Sequence, residues 1–192
     1  GDTMTIKIER RSGETSVSLA LHPVPGKIEI DTPSGFLGHM LELMAHNAGW
    51  GISLKASGDT DVDFHHLVED AGIVLGMALL EWYPSSPRNR YGWCAMPMDG
   101  SLVMVAVDLS GRGVSVFRGD FLSSSCGSFD MELVPEFFRA LAREARITIH
   151  IRILESDNSH HTSEAIFKGF GRAMAQAMAP GEVSPSTKGI WP

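Results

Sequence analysis

His65-His66-Leu67-Val68-Glu69-Asp70 and His160-His161-Thr162-Ser163-Glu164-Ala165 are the two stretches from which the fold is read. Both carry His-His-x-x-Glu, 95 positions apart in a 192-residue chain. Each opens a run with apolar residues at helical spacing. From Asp63 to Trp82, one face holds Leu67, Ala71, Val74 and Ala78; from His160 to Met178, one face holds Ile166, Phe170, Ala173, Met174 and Ala177. Imidazole and carboxylate are ligands that suit a borderline or hard divalent metal ion. The reading that follows is a duplicated fold carrying a duplicated metal site.

Working outward, the elements before each stretch come in the same order. In the first half, Thr5 to Arg11, Glu14 to Leu21 and Lys27 to Asp31 read as strands. Between Glu14 and Leu21, Val17, Leu19 and Leu21 alternate with Ser16, Ser18 and Ala20, the pattern of a half-buried strand. Phe36 to Asn47 reads as a helix and Trp50 to Ala56 as a strand. In the second half, Trp93 to Met98, Ser101 to Asp108 and Gly113 to Phe117 read as strands, Glu132 to Glu144 as a helix and Arg146 to Leu154 as a strand. Each half is therefore βββαβα, and the repeated order indicates duplication more firmly than the few identical residues. The fold class is α+β, with the helices on one face of each sheet. The halves divide near Ser85 to Tyr91, giving 1–88 and 89–192. Neither half is expected to stand alone, because the metal sites draw on both. Pro180 to Pro192 reads as an irregular tail.

Composition bounds the function. With 43% hydrophobic and 20% charged residues, a sizeable core can form. A net charge of −7 without a Lys/Arg block argues against nucleic acid as partner. No apolar run reaches the roughly 18–20 residues of a membrane span, and the first residues lack the layout of a secretion signal. Cys94 and Cys126 form no Cys-x-x-Cys and are too few for a disulfide scaffold, so a reducing cytoplasm is the expected setting.

Helical geometry then sorts the candidate ligands. Residues four apart share a face, so His65 acts with Glu69 and His160 with Glu164. His66 and His161 point about 100° away. Two adjacent histidines therefore indicate two metals, each shared between motifs. His39 lies 26 residues before His65, and Glu136 lies 24 before His160, each on the penultimate helix of its half. Glutamate near a helix start also has a structural motive, the helix dipole, but that motive does not cover four histidines. His22, His46 and His150 are read as structural. A second group, Arg90, Arg112, Ser186, Thr187 and Lys188, suits an anion: arginine gives a bidentate fork to phosphate and lysine a point charge.

Several motifs carry a family resemblance. Gly35-Phe36-Leu37-Gly38-His39-Met40-Leu41-Glu42, Gly58-Asp59, the first His-His stretch and Leu75-Gly76 are followed by Pro97-Met98-Asp99 and Asp108-Leu109-Ser110-Gly111-Arg112. Asn158-Ser159-His160-His161, Glu164-Ala165, Phe167-Lys168 and Pro185-Ser186-Thr187-Lys188-Gly189 complete the set. In order, and from Ile6 to Gly189, the chain resembles imidazoleglycerol-phosphate dehydratase. The resemblance implies a lyase of histidine biosynthesis that converts imidazole glycerol phosphate to imidazole acetol phosphate. It also implies a di-manganese (Mn²⁺) site and a fold like ribosomal protein S5 domain 2. The implied assembly is a homo-oligomer of twenty-four subunits, with sites between subunits.

By position, the resemblance assigns His39, His66, His160 and Glu164 to one metal and His65, Glu69, Glu136 and His161 to the other. Glu14, Glu69 and Glu164 are the implied catalytic carboxylates, with Glu14 moving protons. The implied substrate contacts are Glu14, His39, Asn47, His65, Glu69, His160 and Lys168, with Arg90, Arg112, Ser186 and Lys188 around the phosphate. The chain departs from the family pattern at Gly38, where Asp is usual, at Gly100, where Glu is usual, and at Asn47, where a substrate-contacting His is usual. Glu136 stands where many members have His, and Glu155-Ser156-Asp157-Asn158 lacks a glycine. A divergent metal-binding paralogue with altered catalysis, and a metal-binding shell without substrate, are the rival readings. The shell reading predicts that Arg90, Arg112 and Lys188 diverge in space.

Overall fold

The computed structural model describes residues 4–58, 60–83 and 86–181. The first half contributes β1 (Ile6–Arg11), β2 (Thr15–His22), β3 (Ile28–Asp31), α1 (Gly35–Ala48), β4 (Gly51–Gly58) and α2 (His65–Trp82). The second contributes β5 (Tyr91–Met98), β6 (Ser101–Asp108), β7 (Val114–Arg118), β8 (Ser125–Cys126), β9 (Phe129–Asp130), α3 (Leu133–Ala145), β10 (Thr148–Glu155) and α4 (Ser159–Met178).

The two large sheets have the same topology. One runs β1-β2-β4-β3 and the other β5-β6-β10-β7. In each, three strands are antiparallel and the fourth, β3 or β7, pairs parallel to its neighbour. The α+β class and the duplicated halves are thus both present. The difference is the β8–β9 hairpin in the second half, which the sequence pattern did not predict: two-residue strands show no alternation to read.

Inward-facing residues of each sheet are buried and outward ones are not: Val17, Leu19 and Leu21 on β2, and Val103, Val105 and Val107 on β6. α2 covers β1 and β2, and α4 covers β5 and β6. The helices also pack across the halves, α1 on α4 and α2 on α3. A single core joins both halves, with Phe137, Phe138, Phe167 and Phe170 at its centre. Close helix approach needs glycine at two equivalent places. A Cβ on Gly76 would lie 2.7 Å from the Leu141 carbonyl oxygen, and one on Gly171 2.5 Å from that of Met44.

Element ends follow local chemistry. Ser34 caps α1 by accepting from the Leu37 N–H, and Gly49 closes it at φ 73°. Asn158 caps α4 by accepting from the His161 N–H at 2.7 Å. α2 begins at His65 rather than Asp63: Phe64 is the capping residue, without a side-chain bond, and the Asp63 carboxylate outside the helix accepts from the His65 N–H at 2.8 Å. β10 begins at Thr148 rather than Arg146, because Arg146 takes a left-handed conformation that ends α3. Among the described residues, no helix is long and apolar enough to cross a membrane.

Candidate active site

His39 sits one turn into α1, and the packing of α1 on α4 carries it across the half boundary to His160 and Glu164. On α4, His160 and Glu164 are one turn apart, as their spacing predicts. His160 Nε2 lies 2.9 Å from Glu164 Oε1, and His39 Nε2 lies 3.3 Å from the same oxygen. The three ligand atoms all fall within 4.8 Å of one another. Spacings near 3 Å suit neighbouring positions around a divalent ion with bonds of about 2.0–2.2 Å. The donor set, two imidazoles and one carboxylate, fits such an ion.

Glu164 is buried while both imidazoles are exposed on one side. Burial pushes its carboxyl upward, but hydrogen bonds from Lys168, His160 and His39 outweigh that and hold it below the usual range. Lys168 Nζ donates to Glu164 Oε2 at 3.2 Å. Phe36 packs edge-on against His160, with ring centroids 5.7 Å apart. Behind the ring, His160 Nδ1 lies 3.7 Å from Cys126 Sγ of the β8–β9 hairpin.

The remaining candidate ligands do not join this group. His65 Nε2 lies 3.8 Å from Glu69 Oε2, the i, i+4 pairing expected. Glu69 also faces Arg143, 3.9 Å away. His66 Nδ1 lies 2.5 Å from Glu14 Oε2, so the β1–β2 turn meets the start of α2. Between them is a cleft of about 270 Å³ lined by Arg10, Ser12, Glu14, His66, Glu69 and Asp70. Buried Asp70 anchors its floor, accepting from Arg10 Nε at 2.7 Å and from the Thr15 hydroxyl. That bond to Asp70 raises the Arg10 guanidinium further. Glu136 pairs with Arg139. Among the described residues, His65, Glu69, Glu136 and His161 are not gathered into one cluster.

His161 turns away from His160, with the rings at 86°. Its Nδ1 lies 3.0 Å from Asp157 Oδ2 and its Nε2 lies 3.5 Å from Asp99 Oδ2. Hydrogen bonds from Ser101 and His161 hold the Asp157 carboxyl far below the usual carboxylate range, and Asp157 in turn raises His161. Asn47 is half-buried and donates to the Leu43 carbonyl at 2.8 Å. It lies eight residues beyond His39, about 12 Å along α1.

Arg90 and Arg112 converge on Asp108. Arg90 binds it bidentately, at 2.7 and 3.3 Å, and Arg112 Nη2 lies 3.9 Å away. The Asp108 hydrogen bond raises the Arg90 guanidinium further. These arginines sit where Tyr91 pairs with Asp108; His161 and Asp157 sit at the other end of the ladder, beside Ser101. Seven residues of strand separate the ends, about 23 Å. Ser186, Thr187 and Lys188 lie outside the described residues. Sequence reading missed Asp70, Asp157 and Cys126 as neighbours of the candidate ligands. Asp157 carried the one available signal, its place one residue before the Asn158 cap.

Comparison with known proteins gives the family. A sequence model of the imidazoleglycerol-phosphate dehydratase family matches residues 32–174. Relatives of that name from Bacillus thuringiensis (strain Al Hakam) and Bacillus cereus (strain AH187) are 47% and 48% identical over 171 residues, covering 88% of this chain and 88% of each relative. The structure also resembles the imidazoleglycerol-phosphate dehydratase crystal structure from Staphylococcus aureus (TM-score 0.83, 38% identity, 93% of this chain and 100% of that one). It likewise resembles IGPD from Pyrococcus furiosus in complex with (S)-C348 (TM-score 0.86, 38% identity, 95% of this chain and 99% of that one).

Proposed function

The chain belongs to the imidazoleglycerol-phosphate dehydratase family, and from that premise we propose that His39, His160 and Glu164 form one arm of a di-manganese site in a hydro-lyase of histidine biosynthesis. There imidazole glycerol phosphate loses water and becomes imidazole acetol phosphate. The observation that carries the metal reading is the convergence of two imidazole nitrogens and one carboxylate oxygen from α1 and α4.

In this reading His66 completes the first metal's ligands, and His65, Glu69, Glu136 and His161 hold the second. Bound there, the two ions supply Lewis acidity to the substrate's imidazole ring. The chain's own residues supply the proton traffic. The hydroxyl on the carbon next to the ring leaves as water after gaining a proton. The next carbon gives up its proton, and the resulting enol takes a proton at the carbon beside the ring and releases its hydroxyl proton to become the ketone. We assign these transfers to Glu14, whose Oε2 lies against His66 where both line the cleft. Glu69 and Glu164 act as ligands beside it, with Lys168 holding Glu164 ionised. Arg90 and Arg112, with Ser186 and Lys188 of the tail, take the phosphate.

Two observations support placing the site between subunits. The second ligand set is not gathered among the described residues of one chain. The paired arginines lie about 23 Å along the sheet from the His161 end. A homo-oligomer of twenty-four subunits, working in the cytoplasm, completes the proposal. Cys94 and Cys126 are both unpaired thiols, in keeping with a reducing setting. The test is turnover of imidazole glycerol phosphate before and after chelation. Activity lost on chelation and restored by Mn²⁺ supports the reading; activity that survives complete metal removal contradicts it.

A further inference from the structure

His161 has a carboxylate at each ring nitrogen, and the two differ in how they are held. Asp99 is exposed and reaches Nε2 at 3.5 Å. Asp157 is clamped. Ser101 Oγ donates to its Oδ1 at 2.6 Å, the Asn158 N–H to Oδ1 at 2.7 Å and the Gly100 N–H to Oδ2 at 3.1 Å. Its own N–H donates back to Ser101 Oγ at 3.1 Å. Oδ2, so fixed, lies 3.0 Å from His161 Nδ1.

The Asn158 carboxamide nitrogen approaches the same Nδ1 at 2.7 Å. The two neighbours ask for opposite tautomers: the amide N–H needs a lone pair on Nδ1, and the carboxylate needs a proton there. A charge-assisted hydrogen bond is roughly twice as strong as a neutral one, so the carboxylate decides and Nδ1 carries the proton. Asp99 stands off at 3.5 Å with no hydrogen bond to Nε2, so Nε2 is the nitrogen whose lone pair a bound cation can take. Residue 100 makes this possible. A Cβ on Gly100 would fall 2.8 Å from the Asp157 Cβ, so Asp157 occupies space that any side chain at residue 100 would contest.

We propose that Asp157 is a positioning residue: through Nδ1 it fixes the His161 tautomer and ring that present Nε2 to a metal, and Gly100 leaves the space it needs. The proposal rests on reading His161 as a ligand of the second metal. Outer partners of this kind orient a ligating imidazole, and removing one typically weakens binding by roughly 10- to 100-fold.

The test is equilibrium Mn²⁺ binding to the full chain in its native assembly, followed by the paramagnetic resonance signal of free Mn²⁺. The unsubstituted protein is expected to bind two Mn²⁺ per chain, which the substitutions separate into two classes of site. Asp157→Ala and Asp157→Asn weaken one class by roughly 10- to 100-fold and leave the other in place. Gly100→Ala weakens the same class by displacing the carboxylate, and adds nothing further in an Asp157→Gly background. Both classes unchanged, or both weakened alike, overturns the positioning role. A stoichiometry of one Mn²⁺ per chain in the unsubstituted protein overturns the two-metal reading, and the positioning role with it.

Discussion

Glu164 meets both imidazoles with one oxygen and Lys168 with the other. Its lowered carboxyl pKa has a consequence with a fixed sign. A carboxylate depressed on folding stabilises the fold above its unfolded pKa, about 4.3 for Glu, and that contribution is lost as pH falls through the folded value. In metal-free protein, acid titration of Glu164→Gln followed by circular dichroism should lack this component of acid unfolding, and a profile identical to the parent would refute it. Glu14 gives a catalytic prediction. Glu14→Gln should keep full metal content while turnover falls by at least about 100-fold; assay and metal analysis on the same sample check it, and unchanged turnover removes Glu14 from the mechanism. Asp70 gives a structural one. Asp70→Ala removes one of the two partners of the buried Thr15 hydroxyl, which keeps Ser12 Oγ at 2.9 Å, and should cost about 0.5–1.5 kcal/mol in denaturant unfolding. Arg10 is too exposed to add much to that figure.

At the scale of elements, the repeated order of strands and helices was legible because most elements are long enough to show a period. β2 and β6 alternate over eight residues, and α4 holds its face for twenty. The β8–β9 hairpin was not legible, since four paired residues around Gly127 carry no period. Pairings along one helix, His65 with Glu69 and His160 with Glu164, followed from spacing. The arrival of His39 beside Glu164 did not, because it depends on α1 packing against α4 across 125 residues of chain. Gly100 and the glycine-free Glu155–Asn158 loop read as two unrelated departures, yet they touch in the folded chain. Gly76 tests the packing itself. Gly76→Ala drives a methyl into the Leu141 carbonyl and should destabilise by about 1–3 kcal/mol. Gly35→Ala, with open space at its Cβ, should unfold at nearly the parental midpoint.

For the whole molecule, the cross-half packing of α1 on α4 and α2 on α3 means that neither 1–88 nor 89–192 holds a complete core. Each half expressed alone should show no cooperative unfolding by calorimetry; a sharp transition in either would contradict this. Light scattering should give a mass twenty-four times the 20.8 kDa of one chain. The central claim is that His39, His160 and Glu164 hold a metal ion in the working enzyme, and anomalous X-ray scattering at the manganese edge tests it most directly. Crystals grown from active, manganese-loaded protein should show a peak within bonding distance of His39 Nε2, His160 Nε2 and Glu164 Oε1. An active sample with no peak at that cluster would contradict the account.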